Sequence, residues 1–207
     1  MGRIVLVRHG ETEWSALGRH TSITDLDLTE TGLDQAKALA PLFAEREFAA
    51  VMCSPRIRAL HTAELAGLTV TALDVDLVEW DYGRYEGLTT DEIRHDVPHW
   101  TLWRDGCPGG ERAWQVGARV DRVLNYARRL VGSGDVALVG HAHVLRVAAA
   151  RWVDLPASCG EALRLEPATV SELGYEHEHP AILTWNVPPS RLTEPAGTPG
   201  SRPWPLQ

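Results

Sequence analysis

Three short runs of uninterrupted apolar residues stand out along the chain: Ile4-Val5-Leu6-Val7, Ala50-Val51-Met52-Cys53 and Val136-Ala137-Leu138-Val139. A continuous run of this length, rather than alternation, is the pattern of a strand buried on both faces. Between them the apolar period lengthens. Leu33, Ala36, Leu39 and Phe43 fall on one helical face, which predicts a helix over about 31–47 with Thr29 as N-cap and a kink at Pro41. Ser54 before Pro55 predicts a capped helix start. Trp114, Val120, Val123, Leu124, Ala127 and Leu130 mark a helix over 111–131, closed by Gly132-Ser133-Gly134. A further helix is expected over 144–153. Residues 70–78 read as an extended segment broken near Asp74, and two last strands are expected near 169–174 and 182–186.

Strands alternating with helices predict an α/β fold with a mostly parallel central sheet flanked by helices. Residues 1–187 read as one domain, with an inserted roof at about 80–110. From Pro188 onward the prolines Pro188, Pro189, Pro195, Pro199, Pro203 and Pro205 argue against regular structure, and this tail (188–207) is expected to lie along the surface.

Composition narrows the function. Among 207 residues, 20 are Lys or Arg and 28 are Asp or Glu, a net charge of −8. An acidic average disfavours a nucleic-acid binder and a polybasic membrane anchor. No apolar run approaches the roughly 20 residues of a membrane span, and the start is too short for a signal peptide. Cys53, Cys107 and Cys159 are scattered, with no C-x-x-C pair, and read as reduced thiols of a cytoplasmic protein. His141-Ala142-His143 and His177-Glu178-His179 resemble metal pairs but lack a third ligand at metal spacing, so no metal is expected. No cofactor is expected either.

In an open α/β sheet, ligands bind beyond the carboxyl ends of the strands. The first strand delivers Arg8-His9-Gly10 there, and the strand at 136–139 delivers Gly140-His141. The helix after residue 53 carries Arg56 and Arg58, and Glu79 follows Val78. Guanidinium groups bind phosphate oxygens, a neutral imidazole is a nucleophile, a protonated one stabilises charge, and a carboxylic acid protonates a leaving group. The set suits phosphoryl transfer.

These residues resemble the histidine phosphatase superfamily, which includes the cofactor-dependent phosphoglycerate mutases. Arg8-His9-Gly10-Glu11-Thr12 matches its R-H-G-E-T signature. Leu28-Thr29 with Gly32 and Gln35-Ala36, Ser54-Pro55 with Arg58-Ala59 and Thr62-Ala63, and Glu79 with Gly83 and Glu86-Gly87 match further blocks in family order. So do Pro108-Gly109-Gly110-Glu111 and Gly140-His141 with Arg146. The nearest likeness is to actinobacterial phosphoglycerate-mutase-like acid phosphatases. The resemblance implies the three-layer phosphoglycerate-mutase-like fold, His9 as the phosphorylated nucleophile, and Arg8, Arg58 and His141 holding the phosphoryl group. It implies Glu79 as proton donor, acting afterwards on a water. Homodimers are common in the superfamily.

Trp80 stands where the mutases carry an Arg, and Leu88-Thr89 replaces an Asn-Lys step. The expectation is therefore a phosphatase acting on small phosphorylated metabolites at acidic to neutral pH. Burial is expected to raise the Glu79 pKa and arginines to lower that of His9. A mutase and a phosphate-dependent binding module are the alternatives. Ser15 replaces the family's Asn as a phosphate contact, and Thr21-Ser22 replaces a Gly-containing step at the rim. Trp80 and Tyr82, with Tyr85, Trp100 and Trp103, are expected to wall the pocket. Arg56 reads as a surface residue, and Arg146 as the partner of a carboxylate.

Overall fold

The computed structural model describes residues 2–192. Six strands, β1 (Ile4–Arg8), β2 (Phe48–Cys53), β3 (Ala72–Leu73), β4 (Asp135–Gly140), β5 (Val170–Glu176) and β6 (His179–Val187), form one sheet in the order β3-β2-β4-β1-β5-β6. The pairs β1–β4, β4–β2 and β2–β3 are parallel, while β5 runs against both of its neighbours. The helices are α1 (Glu13–Ala16), α2 (Glu30–Lys37), α3 (Ala40–Phe43), α4 (Ile57–Leu65), α5 (Thr90–Asp96), α6 (Leu102–Asp105), α7 (Ala113–Leu130), α8 (Ala142–Trp152) and α9 (Pro189–Leu192).

The period of two in the central strands sorts their side chains into two cores. Val5, Val7, Val51, Cys53, Ala137 and Val139 face one side, where Leu39, Phe43, Ala59 and Ala63 from the α2–α4 segment cover them. Ile4, Leu6, Met52, Val136 and Leu138 face the other, against Val120, Val123 and Leu124 of α7 and Leu145 and Ala148 of α8. Sheet between two helical layers is the expected three-layer α/β architecture. No helix among the described residues is long and apolar enough to cross a membrane.

Local rules gave way at five places. The helix expected over 31–47 is two, α2 and α3: Thr29 does cap α2, its Oγ1 accepting the Gly32 N–H at 3.0 Å, but Pro41 opens a new helix instead of kinking the old one. Ser54 is not the N-cap of α4: Arg56 takes that position without a side-chain hydrogen bond, and the Ser54 hydroxyl lies 2.8 Å from His141 Nε2. Residues 70–78 yield only the two-residue β3 and a 3-10 turn over Val75–Leu77, capped by Asp74. Trp114 lies off the buried stripe of α7 and is 69% exposed. Pro189, expected in irregular chain, starts the short α9, where the first helical turn needs no N–H from it. The remainder of the expected tail, 193–207, lies outside the described residues.

The loop after β1 is pinned by a close approach of backbones. A Cβ on Gly10 would lie 2.5 Å from the Gly32 carbonyl oxygen, and one on Gly32 would lie 2.1 Å from that of Glu11. Neither position tolerates a side chain, so the loop bearing His9 is locked to the N-terminus of α2.

Candidate active site

β1 and β4 are neighbours with Arg8 opposite Gly140, so the residues that follow each strand emerge side by side. The His9 N–H donates to the Gly140 carbonyl at 3.0 Å, and the His9 and His141 rings meet edge to face with centroids 5.0 Å apart. The crossover rule thus brings together two histidines that are far apart in sequence.

His9 is buried, and its Nδ1 lies 2.7 Å from the Gly10 carbonyl. Only a protonated Nδ1 can satisfy that oxygen, so the neutral ring carries its lone pair on Nε2. Nε2 has no hydrogen bond among the described residues. Burial, with Arg8 and Arg58 nearby, pushes the His9 pKa down to about 3. The ring is therefore an uncharged nucleophile at every working pH. Beside it Arg8 donates Nη1 to the Leu165 carbonyl, while its buried Nε has no partner among the described residues. Arg8 and His9 line the same cavity, so the guanidinium brings positive charge to the nucleophile.

Arg58 and His141 lie one layer deeper. Arg58 is fully buried; its Nε donates to His141 Nδ1 at 3.1 Å, Nη1 to Thr24 O at 3.0 Å, and Nη2 to Ser22 O at 3.2 Å and Thr21 O at 3.3 Å. The accepting Nδ1 fixes the proton of neutral His141 on Nε2, which faces Ser54 Oγ. Burial, Arg58 and His9 hold His141 well below the ordinary imidazole range. The expectation of a protonated second histidine is thus overturned: His141 is neutral, because a cation beside Arg58 in a dry site is doubly disfavoured.

Glu79 is also corrected. Burial does push its pKa up, but the His143 ring and backbone N–H, together with His141, outweigh it and hold the carboxyl well below its usual value. The geometry supplies the reason. Oε1 accepts the Trp80 and Val144 N–H groups, each at 2.9 Å, and Oε2 accepts that of His143 at 2.9 Å. The carboxylate sits on the N-terminus of α8, where orphan N–H groups and the helix dipole stabilise negative charge.

A cavity of about 300 Å³ opens over these groups. Arg8, His9, Ser15, Thr21, Glu79 and Tyr82 line it, as the sequence led us to expect. The Ser15 hydroxyl, however, donates to the Thr12 carbonyl at 3.0 Å in the capping box of α1. Ser22 lies behind the wall, its hydroxyl donating to the Glu79 carbonyl at 3.1 Å. Trp80 is no wall residue: it is fully buried, its indole N–H donating to Glu111 O at 2.9 Å and its ring edge-on to Trp103. Trp100 and Trp103 instead line a smaller adjoining cavity of about 160 Å³. Much of the expected roof is therefore a second patch of core.

Sequence reasoning gave no site role to His143 or Arg146 and set His20 only near the mouth as a surface residue; all three are in the cavity wall. Arg146 pairs with no carboxylate in its hydrogen bonds; it donates to the Gly160 and Glu161 carbonyls, each at 3.0 Å, and stacks on Trp103. Arg56 is half-buried rather than surface-lying, with Nε shielded and unpartnered among the described residues. His141 and His143, read as a possible metal pair, turn to different partners, Ser54 and Tyr82. A signal was present for His143: the second position after a histidine N-cap aims its N–H, and can aim its side chain, at whatever the strand end holds.

The buried neutral histidines have a consequence for stability. His9 and His141, and His143 through its own burial, bind fewer protons in the folded state than in the unfolded chain below about pH 6.5. Their contribution is intact above that pH and is lost as the pH falls toward the folded values. Glu79 acts in the same sense lower down, since its depressed value means stability present above about 4.5 and lost beneath. His9 alone costs about 2 kcal/mol between pH 7 and pH 5, or about 4–8 °C in Tm for a domain of this size. Scanning calorimetry across that range should show the drop, and His9→Ala should reduce it. A Tm that is flat from pH 7 to pH 5 contradicts the assignment.

The comparisons agree with this geometry. Residues 4–188 match the histidine phosphatase superfamily (branch 1). An acid phosphatase of Mycobacterium tuberculosis is 47% identical over 177 residues, covering 84% of this chain and 87% of that protein. The sedoheptulose 1,7-bisphosphatase of Saccharomyces cerevisiae is 35% identical over 185 residues, covering 74% and 68%. A solved structure of an open reading frame product from Mycobacterium tuberculosis superposes with a TM-score of 0.88 at 43% identity, covering 91% of this chain and 98% of that one. The chain thus belongs to the histidine phosphatase superfamily, branch 1, and is a phosphoric monoester hydrolase.

Proposed function

We propose that the enzyme hydrolyses small phosphomonoesters in two displacements at His9. One observation carries this reading: a neutral imidazole leaves Nε2 unbonded in a cavity that Arg8 and the Glu79 carboxylate also line. In the first step Nε2 attacks phosphorus, the ester oxygen departs, and a proton from Glu79 goes to that oxygen. In the second, Glu79 takes a proton from the water that attacks phospho-His9 and passes it to the departing phosphate, so that His9 ends neutral and Glu79 ends as a carboxylate. Arg8 neutralises the phosphoryl oxygens directly. Arg58 and His141 stabilise the group from the layer behind His9, and Ser15 and Thr21 border it.

Glu79 rests as a carboxylate, so the proton must arrive with the substrate. A phosphomonoester loses its second proton near about pH 6. With His9 at about 3 and Glu79 below its usual range, no group of this set titrates between pH 5 and 8 in the free enzyme. kcat/KM should therefore fall above the second pKa of the ester itself, giving an acidic to neutral optimum. An ester with a more acidic second ionisation should move the falling limb down by the same amount. A plateau reaching well above neutrality contradicts this.

The mutase alternative needs groups for a substrate carboxylate. Trp80, at the position where the mutases carry an Arg, is sealed in the core, which supports hydrolysis. The test is a panel of phosphomonoesters plus 3-phosphoglycerate, with and without a bisphosphate primer. Release of inorganic phosphate without primer is the expected result. Primer-dependent isomerisation supports the mutase, and neither reaction supports a binding module.

The cavity size and the −8 charge favour a small phosphorylated metabolite over an extended polyanion. We read residues 1–187 as one domain carrying the 80–110 roof. The three free thiols fit the reducing cytoplasm. Exposed Leu73 and Val75 at the open β3 edge are compatible with a homodimer.

A further inference from the structure

His143 has no part in the displacement chemistry, yet it faces the one group whose proton that chemistry uses. Its backbone N–H donates to Glu79 Oε2 at 2.9 Å, and its ring Nδ1 lies 3.7 Å from the same oxygen. Tyr82 is fully buried among large side chains, and its hydroxyl lies 2.7 Å from that Nδ1. The ring is held on its other sides by His20, stacked at 6.3 Å, and by Trp103, edge-on at 5.4 Å. Nδ1 is thus fixed between a hydroxyl and a carboxylate at the cavity wall.

We propose that His143, backed by Tyr82, is the positioning residue that keeps on Glu79 the proton transferred to the leaving group. The inference rests on the phosphatase reading and deepens it. In the resting site His143 is neutral, because burial outweighs its interaction with Glu79. The charged and titratable groups around it are Glu79, Tyr82, His20, Arg8 and Arg146. Of these, Arg8 and Arg146 disfavour a proton on the ring, and Glu79 favours one. A phosphoryl group in the cavity adds negative charge and tips this balance toward binding a proton. One proton then enters with the ester and passes to Glu79 Oε2, with His143 Nδ1 as the neighbouring base 3.7 Å away. It leaves from Glu79 on the departing oxygen, and the proton that Glu79 then takes from the attacking water departs with the phosphate, which returns Glu79 to a carboxylate. No other atom or electron is exchanged, and His143 ends as it began.

The experiment compares two esters with opposite needs for that proton. An alkyl phosphate requires protonation of its leaving oxygen; 2,4-dinitrophenyl phosphate does not. His143→Asn keeps a polar group near the Nδ1 position but cannot share a proton. It should lower kcat for the alkyl ester about 100-fold and for the dinitrophenyl ester less than about 3-fold. KM should change little, and the falling limb of kcat for the alkyl ester should move at least about one pH unit lower. Tyr82→Phe should show the same selectivity at smaller amplitude. Equal loss on both esters means a merely structural role and overturns the proposal, as does unchanged alkyl turnover. Native enzyme inactive on both esters overturns the phosphatase reading, and this inference with it. Native activity on both, with unselective loss in the variants, overturns this inference alone.

Discussion

Replacing His9 with alanine should lower turnover of any phosphomonoester by at least about 10⁴-fold. The size of the effect follows from how little else in the cavity can attack phosphorus. Ser54 is tied to His141, and Ser15 to its capping box. His141 holds both ring nitrogens in hydrogen bonds with Arg58 and Ser54. His143 is set back between Tyr82 and Glu79. Water could still attack, but Glu79 would have to activate it without a covalent intermediate to split the barrier. Binding should survive better than turnover. Arg8 remains, so vanadate should still bind, with an affinity reduced far less than kcat. An alanine variant with native kcat would refute the covalent mechanism outright.

Glu79→Gln should lower kcat for alkyl phosphates by about 10²–10⁴-fold. The amide matches the carboxyl in shape, but it can neither give up nor take a proton. It also meets the wrong surroundings. Three backbone N–H groups point at the two carboxylate oxygens, and the amide NH₂ must face at least one of them as a second donor. The two steps should respond differently. With a good leaving group such as 2,4-dinitrophenolate, phosphorylation of His9 needs no acid and should persist. Hydrolysis of phospho-His9 still needs the base and should stall. A burst of dinitrophenol close to one equivalent, followed by slow turnover, is the expected result. Near-native turnover of this ester, with no burst, assigns Glu79 to the first step alone.

The contrast between these residues shows what the sequence could carry. His9, His141 and Arg58 come together by the crossover rule of a parallel sheet, and the apolar runs at 4–7 and 136–139 identify the two strands. Their convergence was therefore legible, as was the three-layer architecture. Ser54 was misread because a local capping signal lost to a tertiary partner, His141. Trp80 was misread because an aromatic residue beside a catalytic glutamate looks the same in sequence whether it walls a pocket or fills a core. The direction of the Glu79 shift was misjudged because burial was the one contribution that could be foreseen. The groups that reverse it, the His143 ring and backbone N–H with His141, lie more than sixty residues away in sequence, at the end of β4 and the start of α8. His143 was hidden behind an apparent metal pair with His141, whose two rings in fact look in different directions.

The chemistry turns on a phosphoryl group carried covalently by His9. Rapid quenching of the enzyme during turnover of a ³²P-labelled ester, followed by peptide mapping, tests it most directly. Up to one label per chain is expected on the peptide containing His9, labile in acid and stable in alkali as for a phosphoramidate, and absent from His9→Ala. Full turnover with no protein-bound label, or label carried by another residue, would contradict it.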